Sequence, residues 1–181
     1  MYKNFPKFDD SSYAHFITTK TYNNCPYFKD EESCRILVEE LEFYSKKYAF
    51  VLTGYVIMPN HLPLLVWWDK EEKPRLSVSH IMRGIKGATA RRIIDLIRRK
   101  GLEQMLQSTH RRPDSKSHRQ NLRFRLWQRG FYDFNIYSEA KLLERLDYMH
   151  SNPVKAGLVS SPDGYEWSTW KLYSSEKVGT K

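Results

Sequence analysis

Three features of the chain predict an α+β sandwich. Two amphipathic segments with helical periodicity alternate with short runs of aromatic and β-branched residues. A Pro59-Asn60 turn signal joins two of those runs into a hairpin. The resulting order is strand, helix, strand, strand, helix, strand and a final helix. That is the split βαββαβ pattern of a ferredoxin-like sandwich, with an antiparallel sheet and one additional C-terminal helix.

The elements follow in order. Residues 1–11 read as a loose arm, and Tyr13 to Thr21 as the first strand. A helix starts at Asp30, with Glu31 and Glu32 in its first turn, where the macrodipole favours acids. Ile36, Leu37, Leu41 and Tyr44 form its apolar face. Tyr48 to Met58 and His61 to Trp68 are the two strands of the hairpin. The second helix spans Ser77 to Arg99, with Val78, Ile81, Met82, Ile85, Ile93, Leu96 and Ile97 as its buried stripe. Residues 107–123 are polar, basic and aperiodic, and read as a loop inside a single domain of residues 1–181. Phe124 to Trp127 is expected as the last strand and Gly130 to Asn135 as a turn. Ser138 caps the final helix, which must end near Ser151 because Pro153 disfavours helical geometry at the residue before it. Trp167 and Trp170 are expected to bring the tail, residues 160–181, back onto the domain.

With 181 residues the chain can bury a core without disulfides or a structural metal. A net charge of +9 favours an anionic partner, nucleic acid before a membrane surface. Two cysteines, Cys25 and Cys34, are too few for a disulfide framework or a zinc site. The first residues carry no apolar signal core, and the longest apolar runs are about half a membrane span. A cytoplasmic protein is therefore expected.

Two places suggest chemistry. His61 and position 63 are i and i+2 on a strand, so their side chains share a face. A histidine at each would hold a divalent cation, but position 63 is proline. A lone strand histidine is also an ordinary structural residue. Tyr148 and Asn152 are i and i+4 near a helix end, and so are expected on one face. A phenol is a weak nucleophile at neutral pH unless charge on its transition state is stabilised, as a metal could do. The alternative is a core aromatic followed by a helix C-cap.

Several ordered blocks then carry a family resemblance. They are Tyr13-Ala-His-Phe-Ile-Thr, Pro26-Tyr-Phe-Lys-Asp-Glu-Glu, Gly54-Tyr-Val-Ile-Met-Pro-Asn-His61, Ile81-Met-Arg-Gly-Ile-Lys-Gly, Leu126-Trp-Gln-Arg-Gly-Phe-Tyr-Asp and Leu146-Asp-Tyr148-Met-His-Ser-Asn152-Pro-Val-Lys-Ala-Gly-Leu. Over about residues 13–173 the chain resembles the REP-associated tyrosine transposases of the single-tyrosine HUH superfamily. The resemblance implies a ferredoxin-like fold whose late helix carries the nucleophile. It implies Tyr148 as that nucleophile, forming a 5′-phosphotyrosine link and a free 3′-hydroxyl. It further implies His61 and Asn152 as ligands of Mg²⁺ or Mn²⁺, and single-stranded or hairpin DNA of the repetitive extragenic palindrome type as partner. A monomer or a homodimer, acting away from membranes, fits this picture.

Pro63 departs from the family pattern, since it stands where a second histidine should supply a ligand. It also removes a backbone N–H from an interior strand, so a bulge or local distortion is expected there. Arg83, Lys86, Arg91, Arg111, Arg112, Lys116, Arg119, Arg123 and Arg125 are the candidate DNA contacts. Three hypotheses result. The chain nicks and rejoins hairpin DNA, or it is a catalytically impaired module that only binds structured DNA, or its sheet binds RNA. No RNP-type aromatic motif supports the third.

Overall fold

The computed structural model describes residues 13–106 and 124–177. Arg111, Arg112, Lys116, Arg119 and Arg123 therefore lie outside the described residues.

Strands β1 (Ala14–Lys20), β2 (Val51–Tyr55), β3 (His61–Trp67) and β4 (Tyr132–Ile136) form one sheet in the order β2-β3-β1-β4. Every pairing is antiparallel. Helix α1 (Glu31–Tyr48) links β1 to β2, and α2 (Val78–Arg99) lies between β3 and β4. These are the two split βαβ units that the element order predicts.

The helix ends follow local rules. The Asp30 carboxylate accepts from the Ser33 N–H at 2.9 Å and caps α1, while Lys46 and Lys47 occupy its last turn. Ala49 stops the helix with a left-handed φ of 50°. The strand expected from Tyr48 thus begins only at Val51, because its first residues complete α1 and the turn. Ser77 and Ser138 cap α2 and α3 (Glu139–His150), as their positions suggest.

Strand alternation sorts the side chains into two cores. Ile17, Leu62, Leu64 and Val66 pack with Leu37 and Leu41 of α1 and with Ile81, Ile85 and Ile93 of α2. Ala14, Phe16, Leu65 and Ile136 face the other way, onto Leu142, Leu146 and Met149 of α3. The molecule is thus layered: α1 and α2, then the sheet, then α3. The seam between sheet and α3 is tight at Gly54. A Cβ there would lie 2.6 Å from Met149 Cε and 2.8 Å from Leu146 Cδ2.

The last strand differs from expectation. Trp127 forms only an isolated bridge with Thr21, and its Nε1–H donates to Thr89 Oγ1 at 2.9 Å inside the helical layer. The strand lies instead at Tyr132–Ile136, where a turn was expected. Asp133 and Asn135 resemble turn formers, but β4 is an edge strand, and pairing with β1 outweighs their weak β propensity.

Pro63 causes no bulge at its own position, contrary to expectation. It pairs in regular register with Thr18. Its carbonyl accepts from the Val56 N–H at 3.1 Å, so its missing N–H falls on the β2 side. There the β2 ladder has already ended at Tyr55. The register shift in this hairpin sits between Leu52 and Gly54 instead.

The tail packs back as expected, and in a specific way. The Ile57 N–H donates to the Trp167 carbonyl at 2.8 Å, and the Thr169 N–H to the Tyr55 carbonyl at 3.0 Å. These bonds occupy backbone groups that an edge strand leaves unpaired. Among the described residues, no helix is long and apolar enough to cross a membrane.

Candidate functional site

The hairpin positions His61. The Pro59-Asn60 turn is closed by the Met58 N–H donating to the His61 carbonyl at 2.9 Å. It is pinned to the neighbouring segment by the Thr21 N–H, which donates to the Asn60 carbonyl at 2.8 Å. His61 Nδ1 lies 2.8 Å from Asn60 Oδ1. An acceptor at Nδ1 keeps the ring proton there and leaves the Nε2 lone pair free. Burial holds the imidazole below its ordinary pKa, and the charge of Lys20 pushes it the same way. Lys20 is the direct cross-strand neighbour of His61.

Alternation along β3 places His61 and Pro63 on the face of Leu65, the face covered by α3. Phe16, Thr18 and Lys20 share that face on β1, opposite Leu65, Pro63 and His61 respectively. Tyr148 reaches the same face. Its ring stands edge-on to Phe16, with centroids 6.4 Å apart and planes at 75°. Along β1 the Thr18–Pro63 pair is roughly 7 Å from Phe16, and the Lys20–His61 pair roughly 13 Å. Tyr148 is 48% exposed, so it is not the core aromatic that a bland reading of α3 would give.

Asn152 is placed differently from its sequence reading. Helix α3 ends at His150, Ser151 is its C-cap, and Asn152 opens a second short helix, α4 (Asn152–Lys155). The two residues therefore belong to successive helices and not to one turn of a single helix. The C-cap role falls to Ser151, whose N–H and hydroxyl both donate to the Asp147 carbonyl.

A divalent metal at His61 and Asn152 finds a poor donor set here. The chain supplies one imidazole and one neutral amide, and Pro63 supplies no donor atom. Among the described residues no three His, Cys, Asp or Glu side chains converge on a point. Lys20 pairs with His61 across the strands, and its positive charge acts on the imidazole. These residues do not fit a metal held chiefly by protein ligands.

The described candidate DNA contacts divide. Arg83, Lys86 and Arg125 line a groove of about 410 Å³ between α2 and the segment before β4, together with Phe124, Trp127 and Phe131. The Gln128 N–H donates to the Lys20 carbonyl at 2.9 Å, so this segment adjoins the His61 end of the sheet. Lys86 is engaged within the fold. Its ammonium donates to the carbonyls of Gln128 at 2.8 Å and Gly130 at 2.6 Å, and burial lowers its pKa to about 8. Arg91 is elsewhere, on α2 near Tyr44 of α1, and so in the helical layer away from Tyr148.

Two cations near Tyr148 were not singled out in the sequence: Lys155, inside the last family block, and Arg145, just before it. The Lys155 ammonium lies 5.0 Å from the Tyr148 ring centroid. The Arg145 guanidinium lies 5.5 Å from the Phe16 ring and 4.9 Å from the Phe134 ring. The available signals were the i, i+3 spacing of Arg145 and Tyr148 and the place of Lys155 within the family block.

Residues 9–152 match the family described as Transposase IS200 like. No curated protein sequence matches the chain. The fold is similar to that of a REP-associated tyrosine transposase solved bound to a REP hairpin. That match has 17% identity and a TM-score of 0.63, over 94% of this chain and 84% of the other. It is also similar to a transposase candidate from Deinococcus radiodurans R1, with 15% identity and a TM-score of 0.50, over 80% of this chain and 94% of the other. With most of its length matched and the sheet and helices in the same arrangement, the chain belongs to the IS200-like transposase family.

Proposed function

We propose that this protein binds single-stranded hairpin DNA and nicks and rejoins it through Tyr148. The observation that carries the reading is a half-exposed phenol on the sheet face shared by His61 and Lys20, with a lysine ammonium against its ring. In the reaction the Tyr148 oxygen bonds to phosphorus while the bond from phosphorus to the 3′ oxygen breaks. The phenolic proton leaves to solvent, and the departing 3′ oxygen takes one up. The phosphodiester energy is kept in the 5′-phosphotyrosine link, so a 3′-hydroxyl can reverse the step without ATP. Arg83 and Arg125, on the groove next to the His61 end, track the DNA backbone away from the phosphate that reacts.

The fold's likeness to a transposase bound to a REP hairpin supports a hairpin as the DNA form. A second reading, a structured-DNA-binding module without cleavage, is favoured by Pro63 and the poor donor set around His61.

A labelled hairpin oligonucleotide separates the two. It is incubated with wild-type protein in Mn²⁺, in Mg²⁺ and in EDTA. An SDS-resistant covalent adduct that disappears in Tyr148→Phe is the expected result. Tight hairpin binding with no adduct in any condition would establish the binding module instead.

A further inference from the structure

The sheet face at Tyr148 carries Arg145, Lys155 and Lys20, none of which forms an ion pair among the described residues. Arg145 sits one helical turn before Tyr148, with its guanidinium over two phenyl rings that fix its direction. Its Nε is buried and has no hydrogen-bond partner among the described residues. A buried guanidinium N–H without an acceptor is costly, and a bound anion would relieve that cost. Of the nearby acids, Glu144 makes its ion pair with Lys141, though it also feels the charge of Arg145, and Asp133 is bonded to His15. Asp147 is i+2 from Arg145 and so does not face it.

We propose that Arg145 and Lys155 hold the DNA phosphate at Tyr148, with Lys20 at the His61 end of the same face, and that this side-chain clamp takes the place of a divalent metal. The proposal rests on the hairpin-DNA reading above and deepens it. Guanidinium and ammonium groups supply what a metal would otherwise give a phosphate, namely positive charge against its oxygens. Lys20, the cross-strand neighbour of His61, also disfavours a divalent ion there, at a place Pro63 already leaves under-coordinated. Phe16 links the parts: it carries the Tyr148 edge, the Arg145 guanidinium and, through β1, the register with β3.

The test is fluorescence anisotropy of a fluorescein-labelled hairpin with a single-stranded 5′ extension. It uses the full chain carrying Tyr148→Phe, so that the DNA stays intact. Affinity in EDTA is expected to equal that in Mg²⁺ within about twofold, near the noise of such a titration. Arg145→Gln and Lys155→Gln, added singly, are each expected to weaken binding about tenfold. Each should also lower the slope of log affinity against log salt by about 0.7, the value of one single-strand phosphate contact.

Arg145→Lys keeps the charge and is expected to restore the slope. Lys155 is exposed, so its variant decides the matter if Arg145→Gln unfolds. Binding that requires the divalent ion overturns the proposal. So does binding indifferent to both substitutions, which would leave the hairpin reading standing. Failure of the parent protein to bind any hairpin overturns that reading and this one together.

Discussion

Tyr148 stands edge-on to Phe16, ring against ring at 6.4 Å, so the central strand locates the phenol as much as its own helix does. Phe16 is 4% exposed and pairs with Leu65 on β3 and Phe134 on β4. Phe16→Leu keeps most of the buried volume and is expected to cost under about 1.5 kcal/mol. It removes the flat platform beneath Tyr148 and Arg145, so the rate of adduct formation should fall by more than the loss of folded protein explains. Comparing single-turnover rates with thermal melts checks this. A rate that merely follows the folded fraction would show that Phe16 only fills space.

Gly54 sets how closely α3 approaches the sheet. A side chain there meets Met149 and Leu146 at distances real Cβ atoms essentially never show, with Thr169 Oγ1 at 3.3 Å. Gly54→Val is expected to cost about 1–3 kcal/mol through overpacking. It should also displace the C-terminal half of α3, lowering adduct yield where the fold survives. An unchanged melting temperature would mean that α3 moves freely away from β2.

His150 ties α3 to the tail. It lies 3.1 Å from Thr169 Oγ1, and Thr169 in turn bonds to the Tyr55 backbone. Burial lowers the His150 pKa to about 4 from an ordinary 6.5. Between those values the unfolded chain binds the proton and the native protein does not. Stability from this group is therefore complete above about pH 6.5 and declines as the pH falls towards 4, by on the order of 3 kcal/mol in all. His15 and His61 are also lowered and act in the same direction. His150→Gln should flatten part of the acid limb in urea unfolding measured from pH 7 to 4. An unaltered limb would place the acid sensitivity elsewhere.

Pro63→His restores a second imidazole on the face of His61. Losing outer-shell support alone costs metal sites about 10–100-fold in affinity, so adding a direct ligand should raise Mn²⁺ affinity by about tenfold or more. Isothermal titration of the variant against the wild-type chain measures this. The variant should also make hairpin binding or cleavage respond to Mn²⁺. Equal heats for the two proteins would mean that position 63 does not aim its side chain beside His61.

Much of this molecule follows from local rules. Asp30, Ser77 and Ser138 start their helices because a short acceptor side chain satisfies an otherwise unpaired N–H of the first turn, whatever surrounds it. The Pro59-Asn60 turn and the strand periodicity place His61 and Pro63 on one face, and the ordered family blocks single out Tyr148. What required the tertiary structure was everything set by pairing and proximity. β4 lies at Tyr132–Ile136 because β1 offers an edge there, and no residue of that run states it. Asn152 begins a new helix after Ser151 takes the cap, a choice settled by competing backbone bonds. Lys86 is drawn inward by two carbonyls, whereas Arg145 settles over Phe16 and Phe134 beside Tyr148, and Lys155 meets the Tyr148 ring itself. Charge is legible in a sequence, but which charges meet depends on contacts between residues far apart along the chain.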